Sequence, residues 1–545
     1  GMVAVDPNLE GDVLCIRDSQ KKFDAPDSSI LEIAKTVKTS LPGHLNRQII
    51  MLLSTLGVPD EVFIELQNEM CADIDAMMTN EEKAREIVKR NMGTKECLHI
   101  TRTILSMIEE GMMKGIVDPF LNALLECKRV YALKMLRHKA RILMPKSFLL
   151  LGVIDETGKL EENEIYLQTS TIVSEHLTFN KANDKIRRES KIWTDQAIIT
   201  RNPCLHPGDL RKVEAVDIPE LSHLKNCIVF SQKGDRPLPN CLENAEPMEF
   251  DSQGKRELDR DVEIEDICEF FKDYMLNNRL GQIANLHLAL ADFNEMGVRS
   301  EECIKLAQLH SNAVDFNKTG IPVVEKLTSR SEYPDFMDSR YRDSYRSEKV
   351  LGKLYRDIQL DKPEKDPLLK YYKKTIKMDE NFLFEGYQDY IEEAIACRDH
   401  YNSEIRSLMK KYNVKTEAEI LTAQLLGFRR IDGSKSQDMR DAIIGSIFFI
   451  IYNCRKQFLM GLHNDHEADE DEDELPFNLN APIPINNESK AKASACYYAT
   501  YNQVEYPEEE KNKTILLSFP WVVSDILLVI RRDNMNELQA SVPLN

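Results

Sequence analysis

Two acidic clusters and one basic run are the stretches of this 545-residue chain whose residue types could hold a metal ion or a phosphate. Glu257-Leu258-Asp259-Arg260-Asp261 spaces two carboxylates as a tight cation-binding loop would. It has no glycine, carries Arg260 where the turn is needed, and runs into a helical apolar pattern from Ile264 to Phe271. The pattern predicts that Asp259 and Asp261 cap that helix, because acids suit a helix N-terminus. Asp465 to Glu474 is nearly all acidic but lacks the spacing and glycine of a calcium loop, so it reads as a solvated insert. From Lys128 to Lys146 stand Lys128, Arg129, Lys134, Arg137, Lys139, Arg141 and Lys146, with His138 and no acid. Such a run either lines a phosphate path or forms a solvated helix face. No phosphate-cradling Gly-x-x-x-x-Gly-Lys-Ser/Thr loop, His-Glu-x-x-His pair or Gly-x-Ser-x-Gly elbow is present.

The elements that would position these residues change character along the chain. Residues 1–23 alternate apolar and polar, which predicts strands at the end of a β unit, here bounded at 1–26. Residues 27–140 read as a helical connector: Leu45, Ile49, Leu52, Leu53 and Leu56 form one stripe, and Gly57-Val58-Pro59 stops it. Residues 141–250 return to β character, with an apolar run from Phe148 to Val153, a turn at Asp155–Gly158, alternation from Glu164 to Gln168 and a buried run from Cys227 to Phe230. A helical region follows over 251–380, then a mostly helical region over 381–545. The latter holds an acidic insert, about 464–490, that is disordered by composition.

Charged residues make up 30% and hydrophobic residues 42%, as in globular domains, and the length allows several of them. Net charge is -20, so any nucleic-acid path must be a local basic channel. The 12 cysteines include no Cys-x-x-Cys pair and read as free thiols in a reducing, intracellular compartment, cytoplasmic or nuclear. The longest apolar run, Ala442 to Tyr452, is too short to span a membrane and reads as a buried helix. The opening Gly1-Met2-Val3-Ala4-Val5-Asp6 reads as the middle of a strand, which suggests an N-terminal truncation.

An ordered set of segments resembles the cellular RNA-dependent RNA polymerases of RNA silencing, the two-barrel enzymes. It comprises Arg17-Asp18-Ser19-Gln20-Lys21-Lys22-Phe23, Leu45-Asn46-Arg47-Gln48-Ile49-Ile50, and Leu151 to Gly158. Arg201-Asn202-Pro203-Cys204-Leu205-His206-Pro207-Gly208-Asp209 and Gln232-Lys233-Gly234-Asp235-Arg236-Pro237 follow. Then come Ala313-Val314-Asp315-Phe316 with Lys318-Thr319-Gly320, and Tyr333-Pro334-Asp335-Phe336-Met337. Ser494-Ala495-Cys496-Tyr497-Tyr498 and Ser518-Phe519-Pro520-Trp521 resemble the family's C-terminal end. The resemblance implies an α+β fold, here an incomplete double-psi β-barrel core with extensive helical flanks. It implies template-directed RNA synthesis from ribonucleoside triphosphates, an RNA template, silencing-complex proteins as partners, and no membrane.

The resemblance marks Lys22, Arg201, His206, Lys233, Arg236 and Lys318, with Lys139 and Arg141 of the basic run, as candidates for RNA or nucleotide. Each keeps a plainer reading. Lys22 is also an exposed lysine after a strand, His206 a histidine satisfied by backbone, Lys233 and Arg236 a surface turn, and Lys318 an ion pair with Asp315 at a loop. The family's Gly-Gly-Asp-Leu-Asp-Gly-Asp loop, whose three carboxylates hold magnesium, should follow Leu238-Pro239-Asn240-Cys241-Leu242. Here Glu243-Asn244-Ala245 follows instead, and Glu246-Pro247-Met248-Glu249-Phe250 resembles the family a few tens of residues further on. The loop and the next strand look excised after Leu242. No catalytic residue and no metal ligand is therefore assigned. Two functions stay open: an inactive version of a magnesium-dependent RNA polymerase whose complete form is active, or a non-catalytic polymerase-like protein that binds RNA or silencing partners. Residues near 238–255 should be poorly ordered.

Overall fold

The computed structural model describes residues 2–16, 20, 33, 36–37, 40–90, 98–114, 118–172, 188–234, 260–277, 279–319, 331–338, 343–360, 377–426, 433–460, 485–502 and 515–541. They fall into two units: one from Gly1–Asn68, Met135–Val173 and Ile186–Ile358, the other built on Glu69–Lys134 and Gln359–Asn545. This interleaved division differs from the five consecutive regions read from the sequence. Residues 2–16 contain turns and no strand, which corrects the expectation of strands there. Val3, Val5 and Val13 alternate but stand exposed with no partner ladder, and a strand needs one.

Inside the expected helical connector lies a strand, β1 (Leu41–His44). Asn46 then caps α1 (Arg47–Thr55), its side chain accepting Ile49 N–H at 2.9 Å. Ile49 and Leu52 are buried as the stripe predicts, while Leu56 is exposed, and Gly57 at φ +103° turns the chain out of the helix. There follow α2 (Asp60–Ala76), α3 (Glu81–Arg90), α4 (Leu98–Glu109) and α5 (Pro119–Lys139). Asp118 caps α5 by accepting Phe120 N–H at 2.9 Å and Leu121 N–H at 3.1 Å.

The expected β region is present. β2 (Leu143–Leu149) pairs antiparallel with β1. β3 (Leu151–Ile154), β4 (Glu164–Ile172), β5 (Arg188–Ile192), β6 (Gln196–Ile199), β7 (Arg211–Ala215) and β8 (Cys227–Phe230) form one sheet in the order β3-β8-β4-β7-β6, with β5 also on β4. β3 runs parallel to β8 and β4 parallel to β7; β4 is antiparallel to β8 and β5, and β6 to β7. Side-chain alternation along β4 and β8 buries one cluster on each face: Ile165, Val213, Ala215 and Phe230 on one, Tyr166, Leu221 and Val229 on the other. Among the described residues the sheet is open at β3 and β6 and does not close into a barrel.

α6 (Ile264–Asn277), α7 (Leu280–Phe293) and α8 (Glu301–Thr319) follow. The cap of α6 differs from expectation. Asp259 lies outside the described residues, and the acid engaged at this end is Asp266, which accepts Glu263 N–H at 2.9 Å and binds Arg260 at 2.7 and 2.8 Å. An acid at the third helical position reaches back to the cap amide; Asp261 sits outside the cap, and its carbonyl takes Arg260 Nη1 at 3.0 Å. β9 (Glu332–Pro334) and β10 (Asp343–Tyr345) pair in parallel before α9 (Val350–Asp357). The Tyr333–Met337 segment is locked by Asp335, which meets Arg356 at 2.6 Å and caps Phe336 N–H at 3.0 Å.

The second unit's core gathers α4 and α5 with α10 (Ile391–Lys411), α11 (Glu417–Thr422), α12 (Gly433–Met460), α13 (Asn487–Tyr501) and α14 (Ser524–Ser541). Trp521 lies at its centre, stacked on Phe120 at 5.9 Å and donating Nε1–H to Tyr501 Oη at 3.0 Å. Arg455 is buried and forms two bonds to Asp525, at 3.0 and 2.9 Å, and a third to Val522 O. Within Ala442–Tyr452, Ile443 and Ile447 are buried but Phe449 is exposed, so that run is one face of a helix rather than a wholly buried one. α13 begins at Asn487, inside the span read as insert, because Asn486 and Ser489 form a reciprocal cap; residues 464–484 lie outside the described residues. No described helix is long and apolar enough to cross a membrane, and no described cysteine is in a disulfide.

Candidate functional site

Two turns at one end of the large sheet carry two of the family segments, Arg201–Asp209 and the described part of Gln232–Pro237, and both lie in the first unit. The first follows β6. Asn202-Pro203 is a cis peptide, and Pro207–Asp209 forms a short 3-10 turn. The Asp209 carboxylate is buried and accepts Leu205 N–H and His206 N–H, each at 2.9 Å. His206 Nδ1 accepts Gly208 N–H at 3.1 Å. Its ring is therefore spent on the turn, which favours the backbone-satisfied reading. Burial and Arg211 lower its pKa, against Asp209.

Arg201, His206 and Asp209 line a small, partly open pocket of about 30 Å³ together with Gln308, His310 and Ser311 of α8. His287 of α7 is buried beside it, near Leu205, His206 and His310. Burial pushes His287 and His310 down to about 4, so both rings are neutral at pH 7. Sequence reasoning missed both histidines. They sit inside apolar helical stripes such as Leu286-His287-Leu288 and carry no local signal.

The second turn follows β8. Asp155 accepts Thr157 N–H and Leu160 N–H, both at 2.9 Å. Burial opposes its charge, but the bonds from Leu160 and Thr157 outweigh it and hold the carboxyl below its ordinary value. Gln232 donates to Asp155 O, and Ser231 Oγ donates to Leu160 O at 2.9 Å while accepting Lys233 N–H at 3.0 Å. Gly234 lies at φ +104°, where an added Cβ would sit 2.9 Å from Glu162 Oε1. Lys233 is exposed and pairs with Glu161 at 2.5 Å.

The strand register puts both turns at the same sheet end. Ile165 opposes Phe230 and Ala215, and from that level β8 and β6 both run toward the end where β7 starts. β8 and β6 are three strand steps apart, roughly 14 Å. A third segment joins the Arg201 turn: Asn46 Nδ2 donates to Asn202 Oδ1 at 3.3 Å. Leu45 N–H, next to it, bonds Ile142 O at 2.8 Å, which brings in the Arg141 corner.

The basic run does not form one face. Lys128 is buried, Arg129 pairs with Asp75 and Glu126 at 2.8 and 3.0 Å, and Lys134 donates to Leu426 O, all within the second unit. In the first unit Arg137 stacks on Tyr355 and donates to Ile358 O, while Lys139, Arg141 and Lys146 are exposed. Helical rotation spreads five of the seven cations around α5, and Arg141 and Lys146 lie beyond its end, which a one-dimensional reading overlooks. Lys22 and Arg236 lie outside the described residues. Lys318 lies in the last turn of α8 rather than at a loop, because the helix continues through Phe316. Among the described residues no group of three or more His, Cys, Asp or Glu could hold a metal ion, so no magnesium step can be derived from them.

A family model described as RNA dependent RNA polymerase matches residues 1–245 and, again, 243–358, and one described as the head domain of these polymerases matches 377–543. The chain belongs to the RNA-dependent RNA polymerase family. Probable RNA-dependent RNA polymerase 1 of Oryza sativa subsp. japonica is 34% identical over 568 positions, covering 98% of this chain and 70% of that protein. RNA-dependent RNA polymerase 1 of Arabidopsis thaliana is 34% identical over 568 positions, and this chain spans 47% of it. Both alignments have more positions than the chain has residues, so each relative carries residues without a counterpart here. A solved QDE-1 RNA dependent RNA polymerase from Thielavia terrestris aligns at 17% identity over 97% of this chain and 61% of that one, with a TM-score of 0.47.

Proposed function

We propose that this chain is an RNA-directed RNA polymerase family member whose complete form copies an RNA template from ribonucleoside triphosphates and feeds RNA silencing, and that the chain as given does not polymerise. The observation that carries this is the family match made in two pieces that meet at residues 243–245, where the family's magnesium-holding loop belongs. The open sheet is then the remainder of the double-psi barrel. Bound magnesium in the complete enzyme would activate the attacking 3′-hydroxyl and balance charge on the transferring phosphate. Arg201, Lys233 and Arg141 are cations, and cations can bind phosphate but cannot replace that ligand set. RNA therefore follows these side chains, with Lys22, Arg236 and Lys318 as further candidates, and silencing-complex proteins are the expected partners in an intracellular setting.

The test compares the 545-residue chain with a version carrying the family loop and strand after Leu242. Both receive RNA template, nucleoside triphosphates and magnesium. Only the restored version is expected to synthesise RNA. Synthesis by the chain as given, abolished by Asp259→Ala or Asp261→Ala, would overturn the reading.

A further inference from the structure

We propose that a cavity within the second unit is a binding site for an uncharged, flat aromatic small molecule. The cavity measures about 450 Å³, inside the ~300–1,000 Å³ range of small-molecule sites. Its lining residues all belong to the second unit and stand mostly on α10, α12, α13 and the 3-10 turn Phe519–Val523.

Short side chains make the room. α10 supplies Ala394 and Cys397, α12 supplies Cys454, α13 supplies Cys496, and Val522 and Val523 close the back. Protein interiors are close-packed and hold few voids larger than a water molecule. Several elements that each set a short side chain at one spot therefore leave a shaped space. The exposed lining residues, Glu393, His400 and Gln457, mark its mouth.

The lining selects the ligand's chemistry. Phe458 and Phe519 share the wall with the three sulfurs. Thiols are small, polarisable hydrophobes, and sulfur makes favourable contacts with ring edges, so an aromatic body gains most from this wall. Burial pushes the Cys454 thiol up to about 12, sends Cys496 well above its ordinary value and also raises Cys397. The floor is neutral at pH 7, and a charged ligand would lose its hydration there without gaining a partner. Lys492 also lines the cavity, but its ammonium pairs with Glu488 at 3.2 Å and lies 5.3 Å over the Tyr390 ring. Water on this floor meets only weak S–H donors, so an apolar ring displaces it favourably. A polar tip on the ligand would sit at the mouth, beside Glu393 and Gln457.

The experiment titrates N-phenylnaphthylamine, an uncharged aromatic probe that brightens in apolar surroundings, into the 545-residue chain. A saturable rise is expected. Ala396→Trp and Cys397→Trp place bulk at the cavity and should each weaken binding about tenfold. Anilinonaphthalene sulfonate carries the same rings with an added negative charge and should bind about tenfold more weakly than the uncharged probe. Maleimide labelling, read peptide by peptide, gives an independent measure. Saturating probe should slow labelling of Cys397 about tenfold and leave the exposed Cys268 unchanged. The site is overturned by no saturable binding, by binding that both substitutions leave intact, or by a sulfonate that binds as tightly as the uncharged probe. Cys397 that resists labelling without probe would show the cavity already filled, and would also overturn it. Where the tryptophan variants fail to fold, labelling of the unsubstituted chain decides: protection of Cys397 supports the site, and an unchanged rate overturns it.

Discussion

The Glu417 carboxylate receives Leu517 N–H at 2.7 Å and Ser518 N–H at 3.2 Å, and so fixes the Ser518-Phe519-Pro520-Trp521 segment to the start of α11 from a hundred residues away. Burial pushes this carboxyl up to about 7 against the bonds that favour its charge. The folded pKa lies above the ordinary value, so the group's contribution is fully present below about 4.5 and is lost as pH rises through 7. The stability difference between the native chain and Glu417→Gln should therefore shrink by about 3 kcal/mol between pH 4.5 and 8. Urea unfolding followed by Trp521 fluorescence in a Trp193→Phe background measures it. A pH-independent difference would refute the assignment.

The buried Arg455–Asp525 pair gives a second expectation. Asp525→Ala strands a guanidinium that is 1% exposed and should cost about 3–5 kcal/mol in the same assay. Arg455→Met combined with Asp525→Leu removes both charges and should cost far less. A single variant as mild as the double one would show that the pair is hydrated.

His287 and His310 set the opposite pH trend in the first unit. Their folded values near 4 lie below the ordinary 6.5, so the stability they supply is complete above 6.5 and is lost as pH falls toward 4. The groups that face them are Arg201, His206 and Asp209. Hydrogen exchange in α7 and α8, corrected for intrinsic rates, should lose protection between pH 7 and 5, and His310→Gln should reduce that loss. Unchanged protection at pH 5 would mean that the rings are solvated.

RNA affinity should fall on Lys139→Glu with Arg141→Glu, and again on Lys233→Glu. The slope of log affinity against log salt should flatten by about 0.7 for each single-strand phosphate contact removed. Filter binding across a salt series checks both. Unchanged affinity in the first variant would make the Lys139–Arg141 corner a solvated surface.

What the sequence disclosed depended on how local the cause was. Glu164–Gln168 and Cys227–Phe230 were readable because alternation and burial are written within the segment, as was the end of α1 at Gly57. β1 was not readable: Leu41-Pro42-Gly43-His44 becomes a strand only because Leu143–Leu149 pairs with it from a hundred residues downstream. The Arg201 turn was legible through its prolines and its family pattern. The histidines behind it, and the Asn46–Asn202 bond that joins two family segments, arise only from tertiary packing. Which way each side chain of the basic run points was not legible, because charge sums along a chain do not show how a helix turns each residue.

The interleaving of the two units sets a timetable for synthesis. Thr103 Oγ1 meets Ser524 Oγ at 3.3 Å, so helices made early find their core partners only after 421 further residues. At about 5–20 residues per second, α4 and α5 emerge from the ribosome and wait roughly 20–80 s with buried-type side chains such as Ile104, Leu121 and Leu124 uncovered. Residues 1–68 likewise wait for 135–358. No prefix of this chain ending before α14 can complete either the Trp521 core or its shelter for α4. A nascent chain stalled before α14 therefore leaves the apolar faces of α4 and α5 without their partners.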